Sequence, residues 1–115
     1  MRAFRTFLAT IFIVIAVYTG IVVANHGLGL LPIFFGDMAK IAWPGQFNLD
    51  FMCFLALSAL WLAWRHNFSP VGLLLGLVGF FGGAFFLSAY LLIVSFKVNG
   101  DIKALLLGEG RVNGR

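Results

Sequence analysis

The chain has 115 residues, of which 62% are apolar and 10% are charged, and its formal net charge is +4. A soluble domain carries about 25% charged residues, so this composition excludes an ordinary soluble fold. The single cysteine, Cys53, excludes an intrachain disulfide and paired-cysteine redox chemistry. The bases lie in the flanks and the tail, which suits anionic lipid headgroups better than nucleic acid, and we expect no nucleic-acid partner.

Three apolar runs fill most of the sequence, at residues 7–25, 47–64 and 71–96. Each approaches or exceeds the ~20 residues that a helix needs to cross about 30 Å of hydrocarbon. Backbone groups in lipid must be satisfied within the segment, and these runs are too long for barrel strands. We therefore predict an all-α integral membrane protein, one domain over residues 1–115, with three transmembrane helices and a tail at 97–115.

The first run follows the basic segment Met1–Arg5, so it could also be a signal peptide, and Val22–Ala24 resembles a cleavage site. Its apolar stretch of about 18 residues exceeds a typical signal core, which favours a retained first helix. Three spans would put the termini on opposite sides. The short basic flanks indicate a cytoplasmic N-terminus and an external C-terminus.

The stretch from His26 to Gln46 is apolar but broken by proline and glycine, and it is too short to span. This pattern predicts a segment lying in the membrane interface, with Asp37 and Lys40 facing water. Such a segment is either a lid or docking element or a loop resting on lipid. A turn at Trp43–Gly45 follows, and Asn48 is the expected N-cap of the second helix.

The second helix carries the candidate polar site, Asp50. In the first helical turn the helix dipole favours a carboxylate, so Asp50 is either a helix-start acid near the headgroups or an acid that binds a cation or a partner. On the opposite face lie Ala56, Ala59 and Ala63, small residues that permit close helix packing.

The third helix carries glycines at spacings of four, three and four: Gly72, Gly76, Gly79 and Gly83. These spacings place the four glycines on one narrow face, which we call the glycine ribbon. Such a ribbon lets another helix approach closely. The sequence leaves open whether the occupant is a helix of this chain, another protein, or a bound lipid or pigment.

Aromatic residues near the predicted span ends are expected to anchor the membrane interfaces, namely Trp43, Trp61, Trp64 and Tyr90. Beyond them, Asn99–Asp101 predicts a break and an N-cap, followed by a short amphipathic helix at 102–107 that ends at Gly108. Its exposed leucines require lipid or a partner. Residues 109–115 have the composition of a disordered segment.

Chemical machinery is sparse in this sequence. His26 and His66 are expected on opposite membrane faces, where they cannot share a metal or a haem. Ser58 and Ser88 lie in apolar helices with no evident base to activate them. We therefore predict no catalytic residue, no metal and no cofactor, and we do not expect an enzyme.

A family resemblance rests on Tyr18-Thr19-x-x-Val22-Val23 with His26-Gly27, and on Gln46-x-x-x-Asp50 leading into a helix that ends at Trp61–Trp64. These residues resemble small bacterial three-helix inner-membrane proteins that are grouped as domains of unknown function. The resemblance covers roughly residues 15–95 and implies a bacterial inner-membrane protein. It implies no activity and no functional residue.

These features favour a small interaction or accessory subunit that packs on a larger membrane complex or on copies of itself, with membrane lipids as its surroundings. The alternative is a small oligomeric channel or transporter in which Asp50 lines the path.

Overall fold

The computed structural model describes residues 1–113, and this part of the chain is helical, with no strand. The helices are α1 (Arg2–His26), α2 (Leu30–Ala39), α3 (Trp43–Arg65), α4 (Pro70–Lys97), α5 (Ile102–Leu107) and α6 (Glu109–Asn113). By residue count and composition, helices α1, α3 and α4 are long and apolar enough to span a membrane. The all-α fold with three long apolar helices is therefore confirmed.

Helix α4 reverses direction at Gly83, where the backbone is not helical (φ 59°, ψ −145°). His66 contacts residues on both sides of this point: its Cβ lies 2.7 Å from where a Cβ on Gly72 would sit, and its Nε2 lies 2.6 Å from the Tyr90 hydroxyl. In a straight helix Gly72 and Tyr90 would be about 27 Å apart. α4 is thus a helical hairpin with a first arm (residues 70–82) and a second arm (residues 84–97).

The paired glycines Gly82 and Gly83 make the reversal possible. A positive φ such as that of Gly83 is readily adopted by glycine and costs most other residues strain. A Cβ on Gly82 would lie 2.6 Å from the Cβ of Phe86, and one on Gly83 would lie 3.3 Å from the ring of Phe51. The turn therefore needs glycine for both its backbone conformation and its close contacts.

The reversal brings the N-terminus and the described part of the tail, up to Asn113, to the same end of the molecule. Arg5 donates from Nε to the Ser95 hydroxyl at 3.0 Å, and a Cβ on Gly100 would lie 3.3 Å from the side chain of Met1. The prediction that the termini lie on opposite sides is therefore wrong for this fold. It assumed that an apolar run of 26 residues is one straight helix.

One end of the molecule, which we call the basic end, collects most of the charge. Within residues 1–113 it carries six bases and two acids: Arg2, Arg5, Arg65, Lys97, Lys103, Arg111, Asp101 and Glu109. Among the bases of residues 1–113, Lys40 alone lies at the opposite end, on the connection between α2 and α3. The fold thus separates charge more sharply than three straight helices would.

The hairpin packs against both other long helices. Its first arm lies on α3, and its second arm also contacts α1, where the rings of Phe12 and Phe85 stack with centroids 4.5 Å apart. Nearer the basic end, α1 and the second arm are joined by a hydrogen bond from Arg5 to the Ser95 carbonyl. The hairpin therefore joins α1 to α3.

The segment predicted to lie in the interface is a helix that packs on the beginning of α3. Asn48 donates from Nδ2 to the Phe34 carbonyl at 3.0 Å, and buried Gly45 lets the α2 backbone at Met38 approach within 2.8 Å of its Cβ position. Because α3 already begins at Trp43, Trp43–Gly45 is helical and not a separate turn. Asn48 lies inside α3 and tethers α2, so the N-cap prediction is wrong.

The tail forms two short helices against the hairpin. Asp101 caps α5 by accepting from the Lys103 amide at 3.1 Å, and Gly108 ends it with φ 93°, as the sequence predicted. Leu105 is 1% exposed and packs with the core, so the protein itself covers this leucine. α6 then continues to Asn113, where disorder was predicted, and the prediction for the last two positions lies outside the described residues.

Candidate functional site

A polar cluster at the basic end joins α3, the second arm of α4 and the tail. Its central side chains are Arg65, the last residue of α3, His66, which follows it, and Tyr90, from the second arm. Tyr90 is 9% exposed and lies within the main core. The reversal at Gly83 is what brings Tyr90 to the other two.

Arg65 holds the end of α5. Its Nε donates to the Leu105 carbonyl at 2.6 Å, and its Nη2 donates to the Ala104 carbonyl at 3.0 Å. The last carbonyls of a helix have no partner within the helix, and a cation there also interacts favourably with the helix dipole. Arg65 therefore links the tail to the end of α3.

The guanidinium of Arg65 also contacts Tyr90, whose hydroxyl in turn contacts His66. Arg65 donates from Nη1 to the Tyr90 hydroxyl at 3.1 Å, and that hydroxyl lies 2.6 Å from Nε2 of His66. Arginine can only donate, and its Nη1 lies 3.5 Å from Nε2 of His66 as well as 3.1 Å from the Tyr90 hydroxyl. Nε2 therefore faces a donor and suits the acceptor role, in which it takes the hydrogen of the tyrosine hydroxyl. This network assigns the hydrogen of the imidazole to Nδ1.

Electrostatics agree with a neutral imidazole. Burial lowers the pKa of His66 below its ordinary value of 6.5, and the adjacent positive charge of Arg65 lowers it further. A neutral ring with its hydrogen on Nδ1 keeps one donor, which can form a hydrogen bond to an anion.

The tryptophans predicted as interface anchors have further roles at this end. Trp61 donates from Nε1 to the Leu106 carbonyl at 3.0 Å, and the guanidinium of Arg111 lies over the Trp64 ring at 3.8 Å. Both contacts hold the tail. Tyr90 was predicted to mark a membrane surface, but it is buried inside the cluster because α4 folds back. Trp43 is exposed at the opposite end.

A groove of about 480 Å³ opens beside the cluster, between the two arms of the hairpin. Its walls are apolar and come from both arms, including Val71, Leu75, Phe86, Ala89 and Ile93. The polar residues Arg65, His66, Tyr90, Lys97 and Glu109 also line it, at the basic end. Its volume lies within the range of small-molecule sites.

The glycine ribbon is occupied from within the chain. Gly72, Gly76 and Gly79 are buried, and a Cβ on Gly76 would lie 2.9 Å from the Ala59 carbonyl oxygen. The fourth glycine, Gly83, forms the reversal. On α3, Ala63 is buried and Ala59 is half-buried under the ribbon, while Ala56 is exposed. The structure therefore packs Gly72 and Gly76 on Ala59 and Ala63 as an intrachain contact, and Ala56 lies outside it.

Asp50 lies elsewhere, on the outward face of α3. Because α3 begins at Trp43, Asp50 is not in the first turn, and the helix start does not explain it. Its side chain is exposed, and Phe54 and Leu57 on the same face are 68% and 67% exposed. Asp50 is thus a charged group on an open apolar surface.

The structure shows what sequence reasoning missed. Nothing in the sequence pattern links Arg65 or His66 to Tyr90, and the pattern predicts for His66 only a place on the membrane face opposite His26. Within residues 1–113, no three His, Cys, Asp or Glu side chains converge as a metal site would require. No family model, no curated protein and no solved structure matches this chain. Its function is therefore argued from the sites themselves.

Proposed function

We propose that the protein is a small integral membrane protein whose function is interaction: it packs on another membrane protein or on a copy of itself through the outward face of α3. The observation that carries this proposal is the exposed carboxylate of Asp50 between exposed apolar side chains. We assign it no catalytic role.

The cost of leaving Asp50 against lipid supports a partner. Asp50 lies seven residues beyond the start of α3, which is about 10 Å along the helix. An aspartate at the bilayer centre costs about 2.5–3.5 kcal/mol, and part of that cost applies at this depth. A hydrogen-bond donor or a basic side chain from a neighbouring helix would offset this free-energy cost.

The charge distribution supports an orientation. Six of the bases in residues 1–113 lie at the basic end and one lies at the other. Cytoplasmic flanks carry the excess of lysine and arginine, so the basic end, with both termini, faces the cytoplasm in this proposal. Placement in a bacterial inner membrane rests on the family resemblance.

With this orientation, the hairpin enters the bilayer from the cytoplasmic side and returns to the cytoplasmic side. Each arm is about 20 Å long, which is less than the ~30 Å of hydrocarbon. Non-helical backbone at membrane depth requires protein around it, and Phe51 and Leu55 of α3 lie against Gly83. In this arrangement α1 and α3 cross the membrane, and α4 supports them from one side.

The test is the mass of the particle after gentle extraction in native lipid. The wild-type particle should exceed one 12.6-kDa chain with its lipid, and Asp50→Asn should reduce it to one chain. Asp37→Asn, on α2, is the matched control and should leave the mass unchanged. A single chain in the wild type would contradict the proposal.

The alternative, an oligomeric channel or transporter, uses the same residue. Asp50 faces outward, so a path along it could form only between chains. Cation flux into liposomes that disappears with Asp50→Asn, together with an oligomeric particle, would replace the accessory-subunit proposal by this one.

A further inference from the structure

The groove between the hairpin arms has the shape and polarity of an amphiphile site. Its walls come from Val71 and Leu75 on the first arm and from Phe86, Ala89 and Ile93 on the second. Val71 and Ile93 are largely exposed, so the groove is open along the surface that lipid would cover. An apolar chain can therefore enter it sideways from the bilayer.

The mouth of the groove is basic and presents a donor. Arg65 and Lys97 contribute positive charge, Glu109 contributes one negative charge, and His66 is neutral at neutral pH because burial and Arg65 lower its pKa. Since Nε2 of His66 accepts from Tyr90, its Nδ1 carries a hydrogen that can be donated to an incoming oxygen. The charged groups of the mouth sum to a positive charge.

We propose that this groove binds one acyl chain of an anionic phospholipid, with the phosphate at Lys97 and His66. Basic pockets between membrane helices on the cytoplasmic side are suited to anionic headgroups, and the apolar walls suit a chain. A free phosphate would contact the polar residues at the mouth of the groove and make no contact with its apolar walls. The site is independent of Asp50, which lies on the other half of α3.

The first experiment compares two lipids on the intact protein. The full chain in detergent micelles is titrated with phosphatidylglycerol or phosphatidylcholine of identical acyl chains, and bound lipid is counted by native mass spectrometry. One base near an anionic headgroup is worth about 1 kcal/mol, so Lys97 should favour phosphatidylglycerol by about fivefold. Lys97→Gln should remove most of that preference.

Lys103→Gln is the matched control, because Lys103 is an exposed base at the same end that does not line the groove. It should keep the preference. Equal binding of the two lipids by the wild type, or an equal loss in both variants, would overturn the proposal. Displacement of the lipid by inorganic phosphate alone at similar concentration would assign the site to free phosphate and also overturn it.

The second experiment locates the acyl chain without any substitution. Phosphatidylglycerol with a photoreactive group midway along one chain is added to the wild-type protein and cross-linked. Cross-links should concentrate on Leu75, Phe86 and Ala89. Cross-links concentrated on the open face of α1, at Ile13 and Val17, or at the larger cavity of about 770 Å³ beside the hairpin turn, would overturn the assignment.

Discussion

The hydroxyl of Tyr90 lies 2.6 Å from Nε2 of His66, and this contact joins the returning arm of α4 to the end of α3. Arg65 donates to the same hydroxyl and also holds the carbonyls at the end of α5. One short network therefore connects a long helix, the hairpin and the tail.

Tyr90→Phe should destabilise the fold by about 1–3 kcal/mol. The ring is retained, but Arg65 and His66 each lose a hydrogen-bond partner in a partly buried place. Unfolding by a denaturing detergent in mixed micelles measures the change. Tyr18→Phe is the matched control, since Tyr18 is 71% exposed, and should stay within about 0.5 kcal/mol. Equal effects of the two substitutions would contradict a stabilising role for the hydrogen bonds of Tyr90 with Arg65 and His66.

The stability should fall in mild acid because of His66. Its pKa is lowered in the folded protein, so the unfolded chain binds the proton first as the pH decreases. The free energy of unfolding should therefore decrease below about pH 6.5 and level off once folded His66 is also protonated.

The same unfolding assay between about pH 7.5 and about pH 5 checks this dependence. His66→Gln should flatten the profile across this range, because glutamine does not titrate. His26→Gln, at the opposite end of the molecule, should retain the slope of the wild type. A profile that His66→Gln leaves unchanged would assign the pH dependence to another group.

Gly76→Leu should prevent the native packing of the hairpin. Even a Cβ at Gly76 would lie 2.9 Å from the Ala59 carbonyl oxygen, and leucine adds three more carbons. The expected loss is several kcal/mol by overpacking, of the order of 3 kcal/mol, measured by unfolding and by yield of folded protein. Gly20→Leu on α1 is the control, because nothing lies within 4 Å of its Cβ position. Similar losses for both would contradict the packing of α4 on α3.

Single-cysteine labelling should place both chain ends on the same membrane side. In a Cys53→Ser background, Ala3→Cys and Lys103→Cys should react with an impermeant reagent only after the cells are opened. Leu28→Cys, 85% exposed after α1, should react in intact cells. If Lys103→Cys reacts from outside while Ala3→Cys is protected, the result would support three straight transmembrane helices and contradict the hairpin.

Much of the helix content follows directly from the sequence. The three apolar runs define α1, α3 and α4 within a few residues, and Asp101 and Gly108 define α5. These features are local, because hydropathy over about 20 residues and capping chemistry need no distant partner. The glycine spacing also marks the face that packs, since small residues set how closely a helix can approach.

The candidate site depends on contacts that the sequence does not encode locally. Tyr90 and His66 are 24 positions apart, and nothing near either residue identifies the other. The sequence likewise predicts Asp50 at a helix start, because Trp43–Gly45 has the composition of a turn. Packing of α2 against Gly45 and Asn48 accompanies an earlier start of α3, which leaves Asp50 on the open face.

By itself, the sequence determined that the described chain forms long apolar helices with a short capped helix after them, because hydropathy and caps act over neighbouring residues. Only the tertiary structure decided the direction of α4. A Gly-Gly pair is compatible with a straight helix or with a reversal, and what favours the reversal here are the contacts it completes: Gly83 against Phe51, Tyr90 against His66, and Ser95 against Arg5. Those contacts put the N-terminus and the described part of the tail at the basic end and created the groove between the arms.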